Sequence, residues 1–244
     1  MRRLILPPAR EGGFTLAELL TVMAIIAILA ALILSISGWA QKKAALNRAQ
    51  AEIKALEAGC ENYKNDNGTY PDIVTTGSAT VSVSNFTSNI PSDSLDPRTN
   101  GNPGGPALAN LVGTTGSYEG ASFELYVALT SDTNGTQQTL TGTKNYIPDI
   151  KPDALGRANM TVAVSTSNPV QYLSDPFGNS YGYSTINSFY QAYLTAGGAP
   201  KTTSFGYNPT FDLWCTGGVT SAPLSPPGTA GDPALQWVNN WSTH

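Results

Sequence analysis

The chain has 244 residues, a formal net charge of −4 and only 12% charged residues, with 24 glycines and 17 prolines. That size suits one N-terminal element and one domain of ordinary size, and the acidic balance gives no broad attraction for nucleic acid, which is excluded as a partner. Cys60 and Cys215 could form one disulfide in an oxidising compartment or serve as two small buried hydrophobes; the one histidine, His244, is the last residue, a poor base for a metal site or a histidine-activated nucleophile.

Residues 1–13 form a basic leader carrying Arg2, Arg3 and Arg10, with Glu11 near its end. An apolar run follows, and from Phe14 to Ile36 its only charged residue is Glu18. As a helix the run would be about 34 Å long, enough to cross the ~30 Å hydrocarbon core of a bilayer. Three readings compete. A general secretory signal could be cut after Ser37, but the run is longer than such signals and contains a carboxylate. An ordinary signal anchor is the second; Lys42, Lys43 and Arg48 beyond the run leave its orientation open. The third gives Glu18 a task, since a carboxylate inside a span is costly and usually has one.

The octapeptide Gly13-Phe14-Thr15-Leu16-Ala17-Glu18-Leu19-Leu20 resembles the processing site of type IV pilins and type II secretion pseudopilins, departing from the usual Gly-Phe-Thr-Leu-Ile-Glu-Leu-Leu only at Ala17. The resemblance implies that a prepilin peptidase cuts between Gly13 and Phe14 and methylates the new amine of Phe14. It also implies that the apolar run is kept, first in the bilayer and then in a fibre core. Glu18 would there meet the Phe14 amine of a neighbouring copy, a buried pair better suited to setting register than to adding stability.

No proline occurs between Pro8 and Pro71, so the helix is expected to continue to about Lys64. Leu46, Ala49, Ile53, Leu56, Cys60 and Tyr63 recur at spacings of three and four and form one apolar stripe for packing on the chain's own domain. Lys43, Glu52, Lys54 and Glu61 are placed on the opposite face, and Gly38 is a soft point between the halves. Asn65-Asp66-Asn67-Gly68 reads as a helix stop and turn. The segment Tyr63 to Pro71 resembles the stretch after the long helix in G-type (major) pseudopilins.

Further along, Val81 to Ser84 reads as a short strand, Pro103 to Pro106 as a loop and Ala107 to Val112 as a short helix. Ser122 to Leu129 fits strand or helix equally, and Met160 to Ser165 alternates like a strand. Residues from about 72 to 170 read as an insertion. Asp175-Pro176-Phe177-Gly178-Asn179-Ser180-Tyr181-Gly182-Tyr183 reads as a tight turn feeding a strand, with Tyr181 and Tyr183 on one face. It resembles the pseudopilin pattern Asp-Pro-Trp-Gly-Asn-Pro-Tyr-x-Tyr, with Phe177 for Trp and Ser180 for Pro. Phe211 to Gly218 reads as a late strand ending at a glycine turn. The resemblance places a calcium loop there, but Val219 stands where its Asp is expected, leaving Asp212 and Asp232 as candidate ligands for an ion that wants six to eight oxygens. Asp232 to Trp237 reads as a short capped helix, with Trp237 and Trp241 packing on the domain.

There is no Walker loop, zinc spacing, nucleophile elbow or dinucleotide fingerprint, no pair of carboxylates stands out as acid and base, and the sequons at Asn67, Asn85, Asn134 and Asn240 read as incidental. The expectation is a non-enzymatic α+β chain: leader 1–13, membrane and fibre-core helix 14–37, amphipathic half 38–64, and an antiparallel-sheet domain 65–244 outside the membrane. By resemblance it would be a single-pass protein of the bacterial inner membrane, with its leader cytoplasmic and its domain periplasmic. It would polymerise with itself and meet minor pseudopilins, the prepilin peptidase and an inner-membrane secretion platform driven by an ATPase on another chain. A type IV pilin for adhesion, motility or DNA uptake is the alternative of the same kind, and a secreted soluble binding domain the alternative of another class.

Overall fold

The first helix, α1, runs from Leu16 to Asn67 without a proline to interrupt it. The computed structural model describes residues 15–72, 119–138, 140–198, 200, 205–219 and 237–241, and only the helical backbone of 33–37. The expected elements at 81–84, 103–106 and 107–112, and most of that at 232–237, lie outside these. α1 ends where Gly68 takes a φ of 81° and its N–H reaches back to Lys64 O at 2.7 Å. Asn65 and Asp66 continue the helix, because only the glycine adopts the left-handed cap without strain.

The chain divides within α1 into two units, up to Ala44 and from Ala45 onward. In the first unit the large apolar side chains from Leu16 to Leu32 are exposed on every face, from 53% to 81% of their surface. Among the described residues no helix is long and apolar enough to cross a membrane. In the second unit the stripe behaves as its spacing requires. Ala49, Ile53, Leu56 and Cys60 are buried, while Leu46 and Tyr63 are half-buried at its ends. Burying a side chain such as Ile53 contributes about 1.5–3 kcal/mol. Lys43, Lys54 and Glu61 are exposed, but Glu52 is not on the solvent face. It lies at the edge of the stripe and takes hydrogen bonds from Arg48 and Tyr181.

The ambiguous stretch at Ser122 is helical: α2 spans Glu119–Thr130 and buries Ala121, Leu125, Tyr126 and Leu129. Its register is fixed by Ser122, whose Oγ accepts the Leu173 N–H at 2.9 Å. After α2, the buried Asp132 accepts the Tyr126 hydroxyl at 2.7 Å and the N–H groups of Asn134 and Gln137, closing the turn.

Among the described residues, two small antiparallel sheets complete the α+β fold. β1 (Leu155–Arg157) pairs with β2 (Val170–Leu173), with Gly156 opposite Tyr172. β3 (Gly182–Ser184) pairs with β4 (Asp212–Cys215), which pairs with β5 (Val238–Asn239). Between β3 and β4 runs α3 (Ile186–Thr195), for which the sequence had given no expectation. Its signal is present: Ile186, Phe189, Tyr190, Tyr193 and Leu194 recur at helical spacing, and Gly197 follows with a φ of 90°. These residues form their own small cluster with Phe205.

The strand expected at Met160–Ser165 is a loop. Arg157 gathers it by donating to the carbonyls of Pro152, Leu155, Met160 and Val162. Asn168 does the same for Asn159 and Val162. An alternating pattern needs a partner strand, and here the backbone carbonyls are taken by side chains instead.

The main core joins α1, α2 and both sheets. Trp237 and Trp241 pack on it as expected, each 8% exposed. Trp237 stacks on Trp214 at 6.0 Å and Trp241 on Tyr207 at 4.4 Å.

Candidate functional site

The candidate processing and assembly residues sit at the start of α1. Gly13 and Phe14 lie outside the described residues, which begin at Thr15. Thr15 is the N-cap and Glu18 the third helical residue, and the two form a reciprocal capping box. Glu18 Oε2 accepts the Thr15 N–H at 2.8 Å and the Thr15 hydroxyl at 2.9 Å, while Thr15 Oγ1 accepts the Glu18 N–H at 3.2 Å. The arrangement satisfies donors that a helix start leaves without partners, and places the carboxylate where the helix dipole favours an anion. The sequence reading reserved Glu18 for a neighbouring copy and missed its local partner. The Thr-x-x-Glu spacing was the available signal.

The segment from Asp175 to Tyr183 is a second constellation. It folds as the expected turn, with Gly178 at a φ of 85° and Asp175 Oδ1 accepting the N–H groups of Phe177 at 2.9 Å and Asn179 at 2.8 Å. Tyr181 and Tyr183 share the buried face, each 1% exposed. Tyr183 donates to Pro71 O at 2.5 Å, holding the exit of α1. Tyr181 donates to Glu52 Oε2 at 2.6 Å, and Glu52 also receives Arg48 Nε at 2.6 Å. Burial and the Glu52 carboxylate push the Tyr181 phenol well up, so it stays a donor. Tyr181→Phe should cost about 1.5–3 kcal/mol, the range for a hydrogen bond to a charged group. Urea unfolding with an unchanged midpoint would show the bond to be idle.

Cys60 and Cys215 are both free and buried, not joined in a disulfide. Cys60 belongs to the α1 stripe, and Cys215 Sγ accepts the Gly217 N–H at 3.2 Å. Burial pushes both thiols up, which keeps them protonated and poor nucleophiles. Asp212, a candidate calcium ligand, spends its carboxylate on the backbone. Its oxygens accept the N–H groups of Tyr207 at 2.9 Å and Asn208 at 2.8 Å. Asp232 lies outside the described residues, and among those described no cluster of acids, cysteines and histidines could hold a metal ion.

Among the described residues the buried aspartates are Asp132, Asp175 and Asp212, and each holds a turn through backbone N–H groups. A groove of about 490 Å³ runs beside α1, walled by Ala51, Ala55, Leu56, Ile147, Pro148 and Ile150. Of its polar members, Arg48 and Glu52 are occupied with each other and with Asp153 and Tyr181.

Comparison with known proteins adds three findings. Residues 8–34 match the family model of the prokaryotic N-terminal methylation motif. Over 62 residues, 25% of this chain, the sequence is 40% identical to the type II secretion system core protein G of Aeromonas hydrophila, covering 43% of that protein. Over the same length it is 39% identical to the protein of that name from Dickeya chrysanthemi and 37% identical to that from Pectobacterium carotovorum subsp. carotovorum, covering 40% of each. The chain thus spans about two fifths of the length of these curated relatives. No solved structure matches it.

Proposed function

We propose that this chain, with its N-terminal methylation motif and its similarity to type II secretion core protein G, is a pilin-like pseudopilin: a structural subunit of a secretion fibre. The observation that carries the reading is the match over residues 8–34, which spans the Gly13–Phe14 junction and Glu18. The precursor sits in the inner membrane through residues 14–37, with its leader in the cytoplasm and its domain in the periplasm. A prepilin peptidase removes residues 1–13 and methylates Phe14. Subunits then leave the bilayer and stack their apolar helices into a short fibre with themselves and minor pseudopilins, on an inner-membrane platform, and the fibre pushes cargo outward.

The chemistry asked of this subunit is assembly, and no catalytic group is required. Its apolar helix suits either environment, since side chains such as Leu19, Ile26 and Leu29 are exposed on all faces and can be covered by lipid or by neighbouring helices. Glu18 distinguishes the two. In the single chain its partner is Thr15. In the fibre it exchanges that neutral partner for the ammonium of Phe14 from a neighbouring copy.

Mass spectrometry of the mature N-terminus tests the reading. A methylated Phe14 is expected. A mature start at Gly38 would sink it and favour a secreted soluble domain.

A further inference from the structure

Asp175 is 3% exposed, and its two oxygens are treated differently. Oδ1 accepts the N–H groups of Phe177 and Asn179. Oδ2 is buried with no aligned donor. The Cys215 thiol lies beside the carboxyl and interacts with it. A thiol is in any case a weak donor. An ionised carboxylate needs strong donors on both oxygens or a facing cation. The titratable groups acting on Asp175 are Glu52 from α1, Cys215 from β4, Tyr172 from β2 and Tyr181 before β3, and none of these is a cation. Arg48, which pairs with Glu52, is committed to Glu52 and Asp153.

We propose that Asp175 is a proton-operated latch: its carboxyl is neutral in the folded domain, with Oδ1 accepting from the turn and the proton on Oδ2 facing the Cys215 sulfur, and loss of that proton loosens the 175–179 turn from the end of β4. The mechanical link is tight. Phe177 in the turn packs against Gly218 just after β4, where an added Cβ would lie 2.9 Å from the ring. Water drawn in to solvate an ionised Oδ2 must part these two segments.

Burial holds the Asp175 carboxyl above the usual carboxylate range. The folded state therefore binds the proton more tightly than the unfolded one. Its contribution to stability is fully present below the unfolded value of about 3.9 and is lost as pH rises through the folded value. Asp153, beside Arg48, is held low instead and has the opposite sign, losing its contribution as pH falls. A comparison with Asp175→Asn cancels such other groups. The variant keeps an acceptor for the turn and places an uncharged amide at Oδ2.

The test is thermal unfolding of the full-length chain and of Asp175→Asn between about pH 4 and pH 8. The variant should gain on the wild type as pH rises, by about 3–5 °C for each tenfold by which folding tightens proton binding. A pH-independent difference would overturn the latch. If the variant does not fold, infrared spectroscopy of the wild type and of Glu124→Gln decides, because among the described residues Glu124 is the other carboxyl that burial pushes up. A protonated-carboxyl band that survives in both above the ordinary carboxylate range supports the latch; its loss in Glu124→Gln, or its absence from the wild type, refutes it. Neither experiment depends on whether the chain forms a fibre.

Discussion

Glu18→Ala is expected to leave N-terminal processing and the folded domain intact while assembled fibre falls on the order of 100-fold or more. The size follows from leaving one partner of a desolvated ion pair alone, which costs about 3–5 kcal/mol. In the proposed fibre the orphan would be the Phe14 ammonium of each neighbour. Residues from Ala45 onward form their own unit, and the Glu18 carboxylate bonds to Thr15 at the start of the helix, so the domain has no reason to unfold. The measurement is fibre recovered after shearing, alongside the domain's unfolding midpoint. Glu18→Gln separates charge from shape: it keeps an acceptor for the Thr15 N–H but cannot neutralise an ammonium, and should assemble as poorly. Wild-type yield from either variant would remove Glu18 from the mechanism.

Gly182→Ala should destabilise the domain by about 3 kcal/mol, the upper end of the usual overpacking range. Gly182 faces Trp214 across β3 and β4, and the indole occupies the space a side chain there would need. An added Cβ would sit 2.1 Å from Trp214 Cε2. Trp214 cannot retreat, being fully buried and packed between Trp237 and Trp241. The denaturant midpoint should fall with little change in its slope. The same ring-over-glycine arrangement recurs where Gly156 faces Tyr172, which is only 6% exposed. An unchanged midpoint for Gly182→Ala would mean that the indole can shift after all.

The long helix and its buried stripe were legible because they rest on local rules. A proline-free stretch with apolar residues three and four apart has one way to hide them. The turn at Asp175 was legible for the same reason: Asp-Pro-x-Gly-Asn carries its own hydrogen-bond acceptor and its own glycine. The Thr15–Glu18 box was equally local but was obscured by a stronger pattern, the octapeptide around it.

What was left open, or was overturned, rested on partners distant in sequence. The alternation at Met160–Ser165 was real, but Arg157 and Asn168 took the carbonyls a strand would have shared. The Ser122 stretch became a helix because its stripe faces β2 and β3, which lie some fifty and sixty residues on. Asp212, a candidate calcium ligand from its place in the chain, meets the N–H groups of Tyr207 and Asn208. Cys60 and Cys215 sit in one core without being joined.

The apolar N-terminal helix, its one carboxylate and the octapeptide around that carboxylate were all readable from the chain alone. These depend on composition and on spacing within a few residues. Only the tertiary structure decided that Glu52 faces Tyr181, that three buried aspartates serve turns rather than ions, and that one of them, Asp175, has an oxygen with no donor. Such facts depend on which groups meet after some hundred residues of chain have folded back, and spacing along the chain carries no record of that.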